Sequence, residues 1–147
     1  MGSLNGFYQV VHRLARTPAL AGWSVVGDLP AGPRQAAFAW APYARGFLLV
    51  VEPTWQSILT ARRIARIVRS RPGVQVFAVG NKIAEPHEAE LIAERLGEKI
   101  IEVIPADRDL ADAERKGIAV IDHAPGSAAV RAIERLVKKL ARRSLDP

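Results

Sequence analysis

The chain alternates between short apolar runs and longer segments in which apolar residues recur at helical spacing. Four runs of five or six residues, rich in β-branched side chains and bounded by turn-forming residues, predict buried β-strands. They lie at residues 23–27, 47–51, 74–79 and 99–104. We expect the third strand to stop at Gly80, where Asn81 and Lys82 follow as a turn.

The segments between these runs predict helices, because their apolar residues fall on one helical face. In the longest segment, Thr54 is placed to cap a helix that Pro72 and Gly73 would end. Helices are predicted at residues 7–16, 33–43, 54–70, 86–96, 110–116 and 127–143.

Strands that alternate with helices predict βαβ units, and therefore a mostly parallel sheet of about four strands flanked by helices. The predicted fold class is α/β, in a single domain that spans residues 1–147. Right-handed crossovers place every strand-to-helix loop at one edge of such a sheet, where ligands bind in open α/β folds. The candidate site is bounded by the loops at residues 28–33, 52–54, 81–84 and 105–109.

Composition narrows the class of protein. Hydrophobic residues make up 49% of the chain and charged residues 24%, as in an ordinary soluble globular domain. No apolar run reaches the roughly 18 residues of a transmembrane helix, and no secretory signal pattern is visible. The absence of cysteine excludes disulfides, thiolate metal sites and a cysteine nucleophile, and the three histidines follow no ligand spacing. We expect a cytoplasmic protein with no membrane segment.

The net charge of +6 favours anionic partners. Basic residues crowd two segments, at residues 62–71 and 131–143, and the first of these contains five arginines and no acid. Three interpretations of that arginine cluster are open: a solvated helix face, a surface for an acidic protein, or a surface for the nucleic-acid backbone. The last predicted helix is basic and amphipathic, as membrane-surface helices are, but its apolar stripe has the ordinary width for packing on a sheet.

One loop has the glycine spacing of a phosphate-binding loop. Gly27 and Gly32 frame it directly after a predicted strand. A working loop continues with Lys and Ser or Thr, which contact phosphate and Mg²⁺, whereas Pro33 and Arg34 stand here. Proline also removes a backbone N–H from the helix start, so we do not interpret this loop as a phosphate cradle.

Four short motifs follow the predicted strands in order. They are Asp28-Leu-Pro-Ala-Gly32, Phe47-Leu-Leu-Val-Val-Glu-Pro-Thr54, Val79-Gly-Asn-Lys82 and Val103-Ile-Pro-Ala-Asp107. Their order and spacing resemble the C-terminal half of the MinD/ParA/CooC-type P-loop ATPases, which have a deviant Walker A motif. The motifs are closest to those of CooC-like proteins, and the resemblance extends over roughly residues 7–140.

The resemblance implies an incomplete P-loop NTPase-like, three-layer fold with ATP and magnesium as cofactors. It implies that Asp28, in the switch II motif, helps to hold the magnesium-bound water. It also implies a base-side nucleotide site made by Asn81, Lys82, Pro105, Ala106 and Asp107.

Simpler interpretations of the same residues are open. Asp28 is of a type that caps helices, and Asn81 is of a type that adopts turn geometry cheaply. Pro105 ends a strand under either interpretation. Asp107 and Asp109 are equally suited to capping the helix that follows them.

Several parts of the resembled family have no counterpart in the sequence. Neither the glycine-rich loop with its lysines nor the Cys-x-Cys metal site is present, so we predict that the chain alone does not hydrolyse ATP. It is interpreted as a truncated product, one half of a split ATPase, or a degenerate module. Its expected partners are an upstream half-protein or further copies of itself. The alternative function is a non-enzymatic basic module that binds an acidic protein or, non-specifically, nucleic acid.

The resemblance also carries a structural expectation. In the family, the strand that leads into the phosphate loop lies between the strands that correspond to residues 23–27 and 47–51. Without it, we expect the first of these two strands to pair directly with the second or to pack poorly. We also expect an isolated chain that is marginally stable or that associates.

Overall fold

The structure is a computed structural model that describes residues 6, 9–11, 13, 17–18, 23–29, 32–34 and 44–144. Within the predicted N-terminal helix, residues 9–11 and 13 are helical, and Arg34 is helical at the start of the second predicted helix. Pro33 lies in a turn just before Arg34, and the remaining residues of these two predicted helices lie outside the described part.

The described residues form a three-stranded parallel sheet with helices between and after the strands. The elements are β1 (Gly46–Val51), α1 (Trp55–Arg69), β2 (Gln75–Ile83), α2 (Pro86–Leu96), β3 (Ile100–Pro105), α3 (Arg108–Lys116), α4 (Val120–His123) and α5 (Ala128–Ser144). The strand order is β1-β2-β3, which confirms the predicted α/β class. The short helix α4 was not predicted from the sequence.

The predicted strand at residues 23–27 is wrong. This segment has no regular secondary structure, and the exposed fraction reaches 71% at Trp23 and 94% at Val26. An apolar run becomes a strand only where a neighbouring strand accepts its hydrogen bonds, and the described residues provide none for this segment. The described sheet therefore has three strands, and not the four predicted.

Strand β2 is longer than predicted, because it continues through Gly80 to Ile83. Gly80 serves close packing here and does not end the strand. A Cβ atom added to Gly80 would lie 3.1 Å from Cγ1 of Ile83, so a larger residue would push that buried side chain aside.

The chain divides into two compact units, the first formed by Met1–Phe47 and Arg62–Val76 and the second by Leu48–Ala61 and Phe77–Pro147. In the first unit, Phe47 and Val68 are buried together. The guanidinium of Arg71 lies over the Phe47 ring, 5.6 Å from its centroid. Partly buried side chains surround this small core: Leu29, Ala44, Ile64, Ile67, Val74 and Val76.

In the second unit, α5 packs against β3, and α2 also contacts that strand. One core cluster joins Val79, Ile101 and Leu136. Ile92 of α2 is fully buried. Fully burying one such side chain contributes about 1.5–3 kcal/mol, so this unit carries a substantial apolar core.

Glu102 of β3 is a buried carboxylate in the second unit. It pairs with Arg135 at 3.1 Å and with Lys139 at 2.9 Å, and both cations come from α5. Burial alone raises the pKa of Glu102, but the hydrogen bonds from Lys139 and Arg135 outweigh it, and the pKa lies below its ordinary value. These contacts tie α5 to β3.

Local end signals explain why α2 begins and ends where the sequence predicts. Pro86 occupies its first turn, where a missing N–H costs nothing. The Glu88 carboxylate accepts hydrogen bonds from the N–H groups of Glu85 and Ala84, and the Glu85 bond is the main cause that lowers the pKa of Glu88. Gly97 ends the helix in the left-handed conformation, with φ of 69°. None of the helices in the described ranges is long and apolar enough to cross a bilayer.

Candidate functional site

The residues singled out by sequence are divided between the two units. Asp28 belongs to the first unit, and the other five belong to the second, where they follow or end strands β2 and β3. Parallel strands present their carboxyl ends at the same edge of a sheet, so these five residues share the edge at which α/β folds bind ligands.

A β-bulge positions Asn81 and Lys82 at this edge. Gly80 pairs with Val103 and Ile83 pairs with Pro105, so β2 has two residues where β3 has one. The N–H of Ala106 then donates to the Ile83 carbonyl at 2.9 Å, which keeps the two strand ends together beyond the bulge. Bulges re-aim side chains, and they are frequent beside functional sites.

Lys82 occupies the left-handed region of the backbone, with φ of 57°. This conformation is unfavourable for a residue with a Cβ and normally selects glycine. The residue in the left-handed position of the bulge is therefore a lysine held under strain, and such strain is concentrated at functional sites.

Asn81 is half-buried in the bulge. Within the part of the chain that the structure describes, its side-chain amide has no hydrogen-bond partner. A half-buried amide with a free donor and a free acceptor suits the polar edge of a planar base. The alternative interpretation of Asn81 as a plain turn residue does not fit, because Lys82 takes the left-handed position.

The Lys82 ammonium forms an ion pair with Glu52 across the ends of β2 and β1, with 2.8 Å between Nζ and Oε1. The hydrogen bond that Lys82 donates to Glu52 is the main cause that raises the pKa of Lys82, and the negative charge of Glu52 raises it further. Glu52 is fixed by its own backbone. Its N–H donates to the Ser57 hydroxyl at 3.0 Å, and its carbonyl accepts from Thr54 N–H at 2.7 Å.

Asp107 caps two helices. One carboxylate oxygen accepts from the Asp109 N–H at 2.9 Å in the first turn of α3, and the other accepts from the Ala129 N–H at 2.8 Å in α5. The Ala129 hydrogen bond is the main cause that lowers the pKa of Asp107. The capping hypothesis is confirmed for Asp107, whereas a contact between Pro105, Ala106 or Asp107 and a base stays a prediction.

Asp28 is exposed, and the strand predicted to precede it is not formed. Among the residues that the structure describes, no three histidine, aspartate or glutamate side chains are grouped so that they could hold a metal ion. Magnesium at nucleotide sites is held mostly by waters and phosphate oxygens with one or two carboxylates, so the lack of such a grouping among the described residues does not bear on Asp28. The magnesium-water role of Asp28 stays a prediction.

Sequence reasoning missed two features beside the edge. Glu52 was assigned to a strand-ending loop, but its contact with Lys82 depends on strand order, which sequence spacing does not reveal. Trp55 lines a small open cavity of about 210 Å³, and the guanidinium of Arg95 lies 5.9 Å from the centroid of its ring. The other residues that line this cavity are Pro53, Ile58 and Leu91.

The fold of this chain is similar to the folds of several solved structures. The chain is similar to the septum site-determining protein MinD of Pyrococcus horikoshii complexed with Mg-ADP, with 16% identity and a TM-score of 0.73 over 94% of this chain and 58% of that one. It is similar to the MinD cell division protein of Aquifex aeolicus, with 22% identity and a TM-score of 0.74 over 95% of this chain and 61% of that one.

A ParA family ATPase from Chlorobium tepidum shares 21% identity and a TM-score of 0.54 over 64% of this chain and 41% of its own. No protein-family model and no curated protein matches the sequence. The chain spans 58% and 61% of the two MinD structures, in agreement with the resemblance to a C-terminal half. The chain therefore has the α/β fold of the MinD and ParA ATPases, over a part of their length.

Proposed function

We propose that the chain supplies the base-side half of an adenine-nucleotide site at the carboxyl edge of its sheet. The observation that carries the proposal is the bulge at the end of β2, which contains both Asn81 and Lys82 at the carboxyl edge of the sheet. The similar MinD structure from Pyrococcus horikoshii was determined with Mg-ADP, which supports a nucleotide as the ligand class.

The described residues suit the base better than the phosphates. Asn81 offers one donor and one acceptor, which match the edge of adenine. A phosphate cradle needs successive backbone N–H groups and a lysine, and the sequence contains no glycine-rich loop followed by Lys and Ser or Thr. Much of the binding energy for the anionic part must therefore come from other residues, in a longer polypeptide or in a second chain.

For the same reason, we infer that this chain alone does not hydrolyse ATP efficiently. Phosphoryl transfer depends on a charged clamp and magnesium around the γ-phosphate. We expect no ATP turnover from the purified chain, and turnover only when a partner provides those groups. Activity that survives further purification and disappears in Asp28→Ala would contradict this part of the proposal.

The direct test is calorimetric titration with adenosine and ATP. We expect dissociation constants on the order of millimolar for both ligands, because the base contacts act without a phosphate cradle. Asn81→Ala should weaken adenosine binding about fivefold, the effect of losing one net hydrogen bond.

Gln75→Ala is the matched control, since it removes an exposed side-chain amide from the opposite end of the same strand. Micromolar ATP binding by the chain alone would contradict the proposal, as would adenosine binding that is the same in Asn81→Ala and Gln75→Ala. Equal affinity for uridine would show that the base is not recognised.

A second candidate function follows from the charge of the first unit. That unit contains nine arginines, no lysine and a single acid, Asp28, so its formal charge is +8. The second unit contains twelve basic and fourteen acidic residues, a formal charge of −2, and the two values add up to the +6 of the whole chain. In α1, Arg62, Arg63 and Arg66 are all exposed. This arginine surface suits the phosphates of nucleic acid, bound without sequence specificity.

This candidate is tested by fluorescence anisotropy with a short DNA duplex over a range of salt concentrations. The double variant Arg62→Gln/Arg66→Gln should weaken binding and reduce the salt slope by about two, the number of phosphate contacts removed. The matched control Lys138→Gln/Arg142→Gln removes the same charge from α5 of the second unit. Equal loss in both variants would show that only total charge matters.

A further inference from the structure

The ion pair between Glu52 and Lys82 presents a problem for a ligand site. Lys82 is the positively charged residue in the bulge, but its Nζ already lies 2.8 Å from Oε1 of Glu52. An anion that approached this edge would meet a neutral pair in place of a free lysine. The pair is largely solvent-exposed, with side-chain exposures of 62% for Lys82 and 38% for Glu52, so it is weak enough to exchange for another anion.

We propose that Glu52 is a competitive latch on Lys82, which holds its ammonium until a phosphate group of the ligand displaces the carboxylate. The inference deepens the proposed function, because it assigns the anion contact and its regulation to the same edge of the sheet. It names Lys82 as the phosphate-binding residue of this half and Glu52 as a residue that lowers its affinity for anions.

Three observations support this inference independently of the ligand. First, the backbone holds Lys82 in a left-handed conformation inside a bulge, so the origin of its side chain is fixed at the carboxyl edge. Second, Glu52 is itself fixed by the Ser57 hydroxyl and by the turn to Thr54, so the carboxylate is presented by an ordered loop.

Third, the hydrogen bond that Lys82 donates to Glu52 raises the pKa of Lys82, which shows that the carboxylate favours the charged form of this side chain. A charged lysine that is paired with a displaceable carboxylate can bind an anion only after the carboxylate has been displaced. Phosphate is the stronger competitor for an ammonium because it offers several charged oxygens to the three ammonium donors.

The test is a double-mutant cycle read out by the binding of inorganic tripolyphosphate, a polyphosphate that carries no base. Glu52→Gln keeps the size of the side chain and removes its charge, and Lys82→Met keeps an unbranched side chain without the ammonium. We expect Glu52→Gln to raise the affinity for tripolyphosphate about fivefold, the scale of an exposed ion pair. In the Lys82→Met background, the same change should alter the affinity less than about twofold.

Two matched controls come from exposed residues away from the carboxyl edge. Lys99→Met removes a lysine just before β3, at the opposite end of the strand, and Glu90→Gln removes a carboxylate from the middle of α2. Neither should change tripolyphosphate binding. The NMR signal of the Lys82 ε-methylene gives a second readout, since its titration should move to lower pH in Glu52→Gln.

The outcomes separate the inference from the proposed function. If Glu52→Gln raises the affinity equally in the unmodified chain and in the Lys82→Met background, Glu52 merely repels anions. If it raises the affinity in neither background, Glu52 does not hold Lys82. Either result overturns the latch. If the cycle behaves as expected but adenosine does not bind, the latch stands on an anion site and the base-side proposal fails. If adenosine binds through Asn81 and the cycle shows no coupling, only the latch fails.

Discussion

The two compact units differ in the sign and the balance of their charges. In the second unit, three carboxylates hold elements of the fold together. Glu102 pairs with two cations of α5, Asp107 accepts from the first turns of two helices, and Glu88 accepts at the start of α2. The first unit contains nine arginines and a single acid. Arg62, Arg63 and Arg66, in the middle of α1, are exposed. Three carboxylates thus tie elements of the second unit together, whereas the three arginines in the middle of α1 lie on an exposed surface.

This difference shows why the net charge of the whole chain does not predict which part of it binds an anionic partner. The total of +6 is the sum of −2 for the unit that contains the carboxyl edge and +8 for the unit that contains the arginine surface. An effect of salt on base binding would therefore have a different origin from an effect of salt on nucleic-acid binding. Mutations in the core of the second unit and on the arginine surface of the first unit test whether the two units differ in this way.

The largest effect is expected from the core of the second unit. Ile92 is fully buried in α2, and Ile92→Ala removes buried atoms and leaves a cavity, which should lower the free energy of unfolding by about 3 kcal/mol. Leu91→Ala, at the neighbouring residue, is the control. Its side chain is 39% exposed, so the loss should stay below about 1 kcal/mol. Urea denaturation measures both, and equal losses would show that α2 does not pack as described.

A smaller effect is expected from Glu102→Gln, which removes the charge that binds Arg135 and Lys139. Both cations are about half exposed and can turn to water, so we expect a loss of about 1.5 kcal/mol at pH 7 and not the larger loss of a fully buried pair.

The same variant makes a prediction about pH. Because the pKa of Glu102 in the folded protein lies below its ordinary value of 4.5, its stabilising contribution is complete above that pH. It is lost as the pH falls through the lower pKa of the folded state. The difference between Glu102→Gln and the unmodified chain should therefore shrink below about pH 4. A difference that is constant from pH 7 to pH 3 would contradict the ion-pair account.

The smallest effect on stability is expected from Arg62→Gln/Arg66→Gln in the first unit. These two arginines lie four residues apart on one exposed helix face, where like charges repel. The urea midpoint should stay unchanged or rise slightly, while binding to DNA weakens. A clear drop in the midpoint would show that the first unit also uses these charges internally, and the contrast between the units would fail.

Sequence pattern predicted the elements whose signals are local. The alternation of Phe47, Leu49 and Val51 with exposed positions marks β1, and Pro86 and Gly97 mark the ends of α2. The resemblance to the MinD and ParA fold also followed from short motifs in the right order. These features depend on residues within a few positions of one another, so the sequence alone contains the information.

Features that depend on distant partners were not predicted. The run at residues 23–27 has the composition of a strand, but composition does not supply the neighbour that a strand requires. The bulge at Asn81 and Lys82 exists only through the register with β3, and the Glu52 contact exists only through strand order. The sequence therefore places the candidate residues at the carboxyl edge of the sheet, whereas the pairing of Lys82 with Glu52 becomes visible only in the structure.

The double cap at Asp107 has a further consequence for protein engineering. Its carboxylate fixes the start of α3 and, 22 residues later, the start of α5, so the segment between them is a closed ring anchored at one side chain. Lengthening such a ring costs little, because closure entropy grows only with the logarithm of its length. The exposed junction of Pro125 and Gly126 lies within it. A fluorescent reporter inserted at this junction would leave both anchored helix starts in place and would report on a segment that ends beside the carboxyl edge.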